Sequence, residues 1–435
     1  MSEQQLPVVV IGAGPVGLAA AAHLLERGLE PLVLERGDDV ATNVADWAHV
    51  RVFSPWSFNV DDAALRLLEP LGWEAPDPEH HPTGGELVEG YLRPLAATPA
   101  LSSRIRFGAP VVQVTRTGFD KMKTDGREAA PFQVFVETDA GEERIAAVAV
   151  VDASGTYATP NPLGAGGVAA LGERGLTERI EYRIPDVLGA ERSRYAGRRV
   201  LVVGSGHSAF NAIRDLAELQ QDAPDTRVVW AVRRPELADV FGGGENDQLA
   251  ERGRLGALVG ELVERGALEV VTGFAIDRVG AVEGGVMAAA GEREIGPFDE
   301  VIAVTGYRPD LDILRELRLG LDSAVESPTE LAPLIDPNVH SCGSVPPHGA
   351  RELGHPEPGF YIVGMKSYGR APTFLLRTGY EQVRSVAAAL AGDLEAAERV
   401  ELVLPETGVC SLDTQSAGVG CGMPAAEPTA VGAAA

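Results

Sequence analysis

VVVIGAGPVGLAAAAHLLERGLEPLVLERG, residues 8–37, holds a complete strand–turn–helix–strand unit with nucleotide chemistry at every joint. Val8 to Ile11 is a short apolar, β-branched run of the kind a buried parallel strand needs, and it leads directly into Gly12-Ala13-Gly14-Pro15-Val16-Gly17. That is a full GxGxxG. Gly12 permits the tight turn, Gly14 leaves room for a pyrophosphate against the backbone, and Gly17 lets the following helix lie close on the strand. The helix, Leu18 to Arg27, stops at Gly28. Its N-terminus aims free N–H groups and the positive dipole end at the phosphates. Leu32 to Leu34 forms the next strand, closed by Glu35. An acid there accepts the hydrogen bonds of an adenosine ribose and disfavours a 2′-phosphate, so FAD or NAD is expected rather than NADP.

A chain of 435 residues suffices for two or three domains. The formal net charge of −26 argues against nucleic-acid or anionic-membrane binding, since either needs a basic face. Three cysteines, Cys342, Cys410 and Cys421, cannot build a disulfide framework and suit a reducing cytosol. With no apolar leader before the first strand and no apolar run of spanning length, a cytoplasmic location is expected.

Asp46 to Trp56 is dense in aromatics and includes Trp47 and Arg51, suited to covering a flavin edge and pairing a pyrophosphate. Asp61 to Leu71 reads as a short helix, His80-His81 as a loop, and Thr83 as an N-cap. Ile105 to Val114 and Phe132 to Val136 suggest an antiparallel ribbon turning at Asp139-Ala140-Gly141. Ile145 to Val151 reads as another buried parallel strand, ending in Asp152-Ala153-Ser154-Gly155. Pro and Gly enrich 160–175, so a linker is placed there.

A second nucleotide unit follows. Arg199 to Val203 is its strand, Gly204-Ser205-Gly206-His207-Ser208-Ala209 its turn, and Phe210 to Gln220 its helix. The next strand, Val228 to Val232, ends in Arg233-Arg234 instead of an acid. Guanidinium groups at the ribose position pair a 2′-phosphate, so this unit should prefer NADPH. His207 is expected to contact pyrophosphate or water, and Gly242-Gly243-Gly244 to form a loop able to close over the site. Leu255 to Glu264 is helical, and strands near Leu268–Val271 and Val301–Val304 finish the insert.

The paired glycine turns, Asp152-Ala153-Ser154-Gly155, Val304-Thr305-Gly306-Tyr307 and the run Pro358 to Gly364 resemble the two-dinucleotide flavoproteins, and within them the flavin-containing monooxygenase-like group. The resemblance implies that the two small-residue segments link FAD and NADPH domains. It also implies that a helix at about Thr373 to Leu390 points its N-terminus at the pyrimidine end of the flavin. Departures are visible. Arg183 to Gly189 lacks the His of the FxGxxxH signature, and Phe53-Ser54-Pro55 stands where many members carry Asn-Ser-Pro. Both weaken the case for ordinary oxygen insertion. No CxxC or CxxxxC exists for the disulfide-reductase branch. The runs 336–343, 364–373 and 405–410 look like bacterial flavoproteins often encoded beside arsenic-resistance genes, a setting in which Cys342, Cys410 and Cys421 would be candidate metalloid thiols; a loop cysteine and a tail are the plainer reading.

The expected fold is α/β with two Rossmann-type domains, the NADPH domain inserted in the FAD domain. Residues 1–160 and 301–400 form the FAD domain, 161–300 the NADPH domain, and 401–435 a Cys-containing tail. Gly12, Gly14, Pro15, Gly17, Glu35, Arg36, Trp47, Arg51, Val112, Ser154, Gly155, Gly364 and Met365 are expected to serve FAD. Gly204, Ser205, Gly206, His207, Ser208, Arg233, Arg234, Thr305 and Gly306 are expected to serve NADPH and the domain joint. Lys366, Tyr368 and Arg370 are candidates for the flavin-proximal pocket, and no general acid or base is legible. The function expected is an FAD-dependent NADPH oxidoreductase acting on a small molecule, with a homodimer compatible. A quinone or metalloid reductase and a non-enzymatic redox sensor remain the alternatives.

Overall fold

The structure, a computed structural model, describes residues 6–237, 240–241, 249–339, 345–372 and 375–402. Gly242 to Gly244, Cys342, Thr373, Cys410 and Cys421 lie outside the described residues.

Strand β1 (Val8–Ile11) is buried along its whole length, as a strand covered on both faces must be. Its helix, Pro15–Glu26, begins three residues before the apolar pattern suggests, because proline at a first helical position lacks only an N–H that would be unpaired there anyway. Strands β2 (Pro31–Leu34) and β3 (Ile105–Arg106) follow, and Val33 stands opposite Ile105. Next, β4 (Val111–Arg116), β5 (Phe132–Thr138) and β6 (Gly141–Ala147) make an antiparallel sheet, and β7 (Ala149–Asp152) returns beside β1 with Asp152 opposite Ile11.

Two expected strands are thereby each divided. Ile105 belongs to the parallel sheet, because Gly108 at φ 56° and Pro110 interrupt the run before Val111. Ile145 belongs to the hairpin, and the chain changes sheet at exposed Val148.

The second unit contains β8 (Ile180–Glu181), β9 (Arg199–Val203), the helix His207–Asp222, β10 (Arg227–Ala231), the helix Ala250–Glu264 and β11 (Glu269–Val271). A meander of β12 (Arg278–Val282), β13 (Gly285–Ala290) and β14 (Arg293–Phe298) precedes β15 (Glu300–Ala303). The parallel order is β11-β10-β9-β15-β8. One face of this sheet buries Phe210, Ile213 and Leu216 with Trp230, and the other buries Phe274, Val286 and Phe298 with Leu201. Val301 pairs with Leu201, so 301–303 belong to this second sheet and not to the returning domain, a correction of the expected boundary.

After β15 the chain goes back to the first sheet as β16 (Phe360–Ile362), giving the order β16-β7-β1-β2-β3. Glu357 fastens this return. Its carboxylate takes Arg116 Nε at 2.8 Å and an Arg127 guanidinium nitrogen at 2.7 Å, and all three side chains are buried. Burial alone would raise the Glu357 carboxyl, but the bonds from Arg127, Arg116 and the Arg318 amide outweigh it and hold it below the usual range. The expected linker at 160–175 is pinned as well. Buried Glu173 accepts from Leu163 N, Ala170 N and the Tyr182 hydroxyl at 2.8, 2.6 and 2.7 Å.

Candidate functional site

Both glycine turns open on one cavity of 1060 Å³ between the two parallel sheets. In the first turn Gly12 has φ 99°, and a Cβ on Gly17 would stand 1.9 Å from the Gly12 carbonyl oxygen. Gly17 is therefore a packing residue and does not line the cavity. A Cβ on Gly14 would meet nothing within 4 Å, so its missing side chain leaves room on the cavity side for a ligand. The second turn repeats this geometry: Gly204 has φ 133° with the Val304 carbonyl close by, and a Cβ on Gly206 meets nothing within 4 Å. Trp230 Nε1 donates to Gly204 O at 2.7 Å and fixes the turn from the next strand, a contact sequence reading missed.

The ends of the second strands differ in charge. Glu35 accepts from Ala13 N at 2.7 Å and Gly37 N at 2.8 Å, which places its carboxylate beside the turn while keeping acceptor capacity for ribose hydroxyls. Arg233 and Arg234 line the same cavity from the other sheet. The residues present thus fit two dinucleotides of opposite ribose preference. Arg36 corrects the expectation: it is exposed, reaches Asn43 Oδ1 at 3.3 Å, and is absent from the cavity wall. Val112 is likewise exposed on β4 and does not line the cavity.

Pro15, Trp47, Arg51, Ser205 and Ser208 line the cavity, although one Arg51 guanidinium nitrogen donates to His81 O and lies 3.8 Å from Glu86. Helix formation starts at His207 instead of Phe210, so the imidazole sits at the helix N-terminus with its ring 5.2 Å from Phe53 of the other domain. Asn59 lines the cavity and gives its amide to Ser54 O at 2.8 Å and Pro55 O at 2.9 Å. An asparagine thus meets the Ser54-Pro55 turn from four residues downstream.

The two crossovers carry Ser154, Gly155 and Tyr157 on one side and Thr305, Gly306 and Tyr307 on the other, all on the cavity wall. Asn161 ties them together: its Nδ2 donates to Thr305 O at 3.1 Å, its N–H to Gly306 O at 2.8 Å, and Thr305 Oγ1 donates to Asn161 O at 2.9 Å. Tyr157 and Tyr307 stack at 5.2 Å, with Arg183 over Tyr157 and paired to Asp46 at 3.1 Å. Burial pushes both phenols up, Tyr307 to about 12, so both stay protonated; the Tyr307 hydroxyl donates to Tyr182 O at 3.4 Å, and the buried Tyr157 hydroxyl meets no partner among the described residues.

Gly364, Met365 and Arg370 line the cavity, whereas Lys366 and Tyr368 do not. Lys366 is fully buried beneath the wall, with Nζ 2.7 Å from Asp152 Oδ2 and 3.1 Å from Ser154 Oγ. Tyr368 is buried with its ring 5.7 Å from His348. Gln382 supports the Gly364 turn by accepting Gly364 N at 2.7 Å while its amide nitrogen reaches Ser367 Oγ and His348 Nε2, each at 2.9 Å. Burial pushes His348 down, so its neutral ring accepts from Gln382. The helix expected from Thr373 is Leu376–Leu390. Among the described residues no group of three His, Cys, Asp or Glu is placed to hold a metal, and no helix is long and apolar enough to cross a membrane.

Residues 9–341 match the pyridine nucleotide-disulphide oxidoreductase family. The chain is 32% identical over 210 residues to indole-3-pyruvate monooxygenase YUCCA1 of Oryza sativa, covering 48% of this chain and 44% of that protein. It is 28% identical over 219 residues to dimethylaniline monooxygenase (N-oxide-forming) 4 of Mus musculus, covering 49% and 36% respectively. It thus spans about half the length of these relatives or less. Among solved structures, bacillithiol disulfide reductase Bdr of Bacillus cereus superposes with a TM-score of 0.66 at 20% identity, covering 89% of this chain and 99% of that one. Ornithine hydroxylase PvdA of Pseudomonas aeruginosa superposes with a TM-score of 0.58 at 17% identity, covering 90% and 100%. These two likenesses concern the fold alone.

Proposed function

Since the chain belongs to the pyridine nucleotide-disulphide oxidoreductase family, we propose that it is an FAD-dependent NADPH oxidoreductase of the flavin monooxygenase-like kind, acting in the cytoplasm on a small molecule. One observation carries the reading: two glycine turns from two parallel sheets face a single cavity, one ending in Glu35 and the other in Arg233-Arg234. When bound, FAD supplies the redox chemistry, taking hydride from the nicotinamide and passing electrons to oxygen or a small acceptor.

The chain's residues supply position and electrostatics. Gly12, Gly14, Pro15 and Glu35 hold the adenosine half of FAD, Trp47 and Arg51 its middle, and Ser154, Gly155, Gly364 and Met365 the ring end. Gly204 to Ser208 receive the NADPH pyrophosphate on the N-terminus of the His207–Asp222 helix, and Arg233-Arg234 the 2′-phosphate. Asn161 and the stacked Tyr157 and Tyr307 keep the two crossovers together, so both cofactors address one space. Lys366 neutralises Asp152 and donates to Ser154, which orients that hydroxyl at the cavity wall.

Monooxygenase relatives favour oxygen as the final acceptor. The lack of any CxxC or CxxxxC argues against an internal dithiol relay. The arsenic-resistance setting and a metalloid acceptor rest on sequence runs alone, since Cys342, Cys410 and Cys421 lie outside the described residues. Anaerobic mixing of the flavin-loaded protein with NADPH and with NADH tests the proposal. Fast bleaching that prefers NADPH supports it; absence of bleaching with either nucleotide rejects it in favour of a binding module.

A further inference from the structure

Two cations not assigned to dinucleotide phosphates stand together beside the cavity at Gly167, and of the two only Arg370 is on its wall. Arg370 lines it, and among the described residues no carboxylate or hydrogen-bond acceptor meets its guanidinium. Arg308, just past the second crossover, spends Nε on Asn161 Oδ1 at 2.9 Å and one terminal nitrogen on Gly167 O at 3.0 Å, both neutral acceptors. Their tips converge. A Cβ on Gly167 would stand 3.6 Å from an Arg370 terminal nitrogen and 3.9 Å from an Arg308 one. Gly167 ends the run Gly164-Ala165-Gly166-Gly167, all of it on the cavity wall, and a Cβ on Gly166 would meet nothing within 4 Å.

By contrast, the convergent arginines Arg116 and Arg127 are matched with the buried Glu357. Two guanidinium groups brought together without a carboxylate repel one another, and an incoming anion relieves that repulsion. A local positive site also draws an anion in against the −26 net charge. The same cavity wall carries apolar and aromatic side chains, among them Phe274, Ile276, Tyr307 and Pro337.

We propose that Arg370 and Arg308 form a carboxylate-binding subsite, and that the substrate class of this enzyme is an organic acid with an apolar body. The subsite rests on the reading of the cavity as the oxidoreductase site, and it sets which acceptor molecules enter. Arg370 is the main anchor, because no acceptor among the described residues takes its donors; Arg308 contributes charge and holds the Gly167 loop.

The test is calorimetric titration of the flavin-loaded protein with phenylacetate, hexanoate and benzoate, each against its neutral amide. Wild type should bind at least one acid roughly tenfold more tightly than its amide. Arg370→Ala, which loses no side-chain hydrogen bond among the described residues, should erase that preference, and Arg308→Lys should retain part of it. Equal affinity for acid and amide across the panel overturns the proposal, as does a preference that survives Arg370→Ala. It is also overturned if Arg370→Ala weakens NADPH tenfold and leaves acid binding intact, since the pair would then be a phosphate anchor. Failure of the oxidoreductase reading is seen separately, as wild-type protein that NADPH does not bleach.

Discussion

Gly206→Ala separates the role of the second glycine turn in binding from its role in folding. Gly206 is the N-cap of the His207–Asp222 helix at φ −95° and ψ 176°, a conformation open to alanine. An added Cβ meets no atom within 4 Å. Alanine removes unfolded-state freedom worth about 0.4–1 kcal/mol, while its poorer N-cap behaviour costs a similar amount, so stability should stay within about 0.5 kcal/mol of wild type. Binding should change far more. The methyl would stand where a pyrophosphate approaches the helix N-terminus and would displace one or two charge-assisted hydrogen bonds, together about 2–4 kcal/mol. That corresponds to an NADPH affinity lower by roughly 30- to 1000-fold. Gly17→Ala is the converse case, because its Cβ would stand 1.9 Å from the Gly12 carbonyl oxygen and backbone would have to move, at about 1–3 kcal/mol. The assay is a thermal melt of each variant beside an anaerobic NADPH titration. A Gly206→Ala protein that binds NADPH like wild type, or one that melts early, refutes the cradle argument.

Replacing Arg233 and Arg234 by Ala should raise the NADPH dissociation constant at least tenfold and leave that for NADH within about twofold; equal changes would remove their 2′-phosphate role. Glu35→Ala should purify with depleted FAD and, by releasing the Ala13 and Gly37 amides, lose about 1–2 kcal/mol of stability; full flavin retention would count against the domain assignment. Burial pushes His355 down to about 4, so the folded chain keeps this ring neutral while the unfolded chain takes up a proton below about 6.5. Its share of stability is present in full above that value and is lost as pH falls toward 4, on the order of 3 kcal/mol. His355→Gln should flatten that part of the pH–melting curve, and an unchanged slope would refute the linkage.

Both strand–turn–helix units were legible because their chemistry is local. A glycine forced to φ 99° or 133° and a β-branched run buried on both faces leave their mark within a few residues. The meander at 278–298 left little mark, since its strands are rich in Gly and Ala and β13 departs from regular pairing between Val286 and Ala288. Asn161 escaped notice for a different reason: its partners lie 144 residues away, and nothing in a Pro- and Gly-rich stretch announces them.

Lys366 brings the two kinds of information together. A lysine two residues past Gly364 reads as a pocket cation, and its neighbours Met365 and Gly364 do reach the cavity. Its own side chain turns inward because Asp152, 214 residues earlier, is buried and needs a counter-charge. Burying either charge alone would cost several kcal/mol, so the pair forms or neither residue is tolerated there. Among the described residues Arg370 has no such acid behind it, and it lines the cavity wall. Which of the two basic residues reaches the cavity wall is thus set by a distant carboxylate, a fact no local pattern carries.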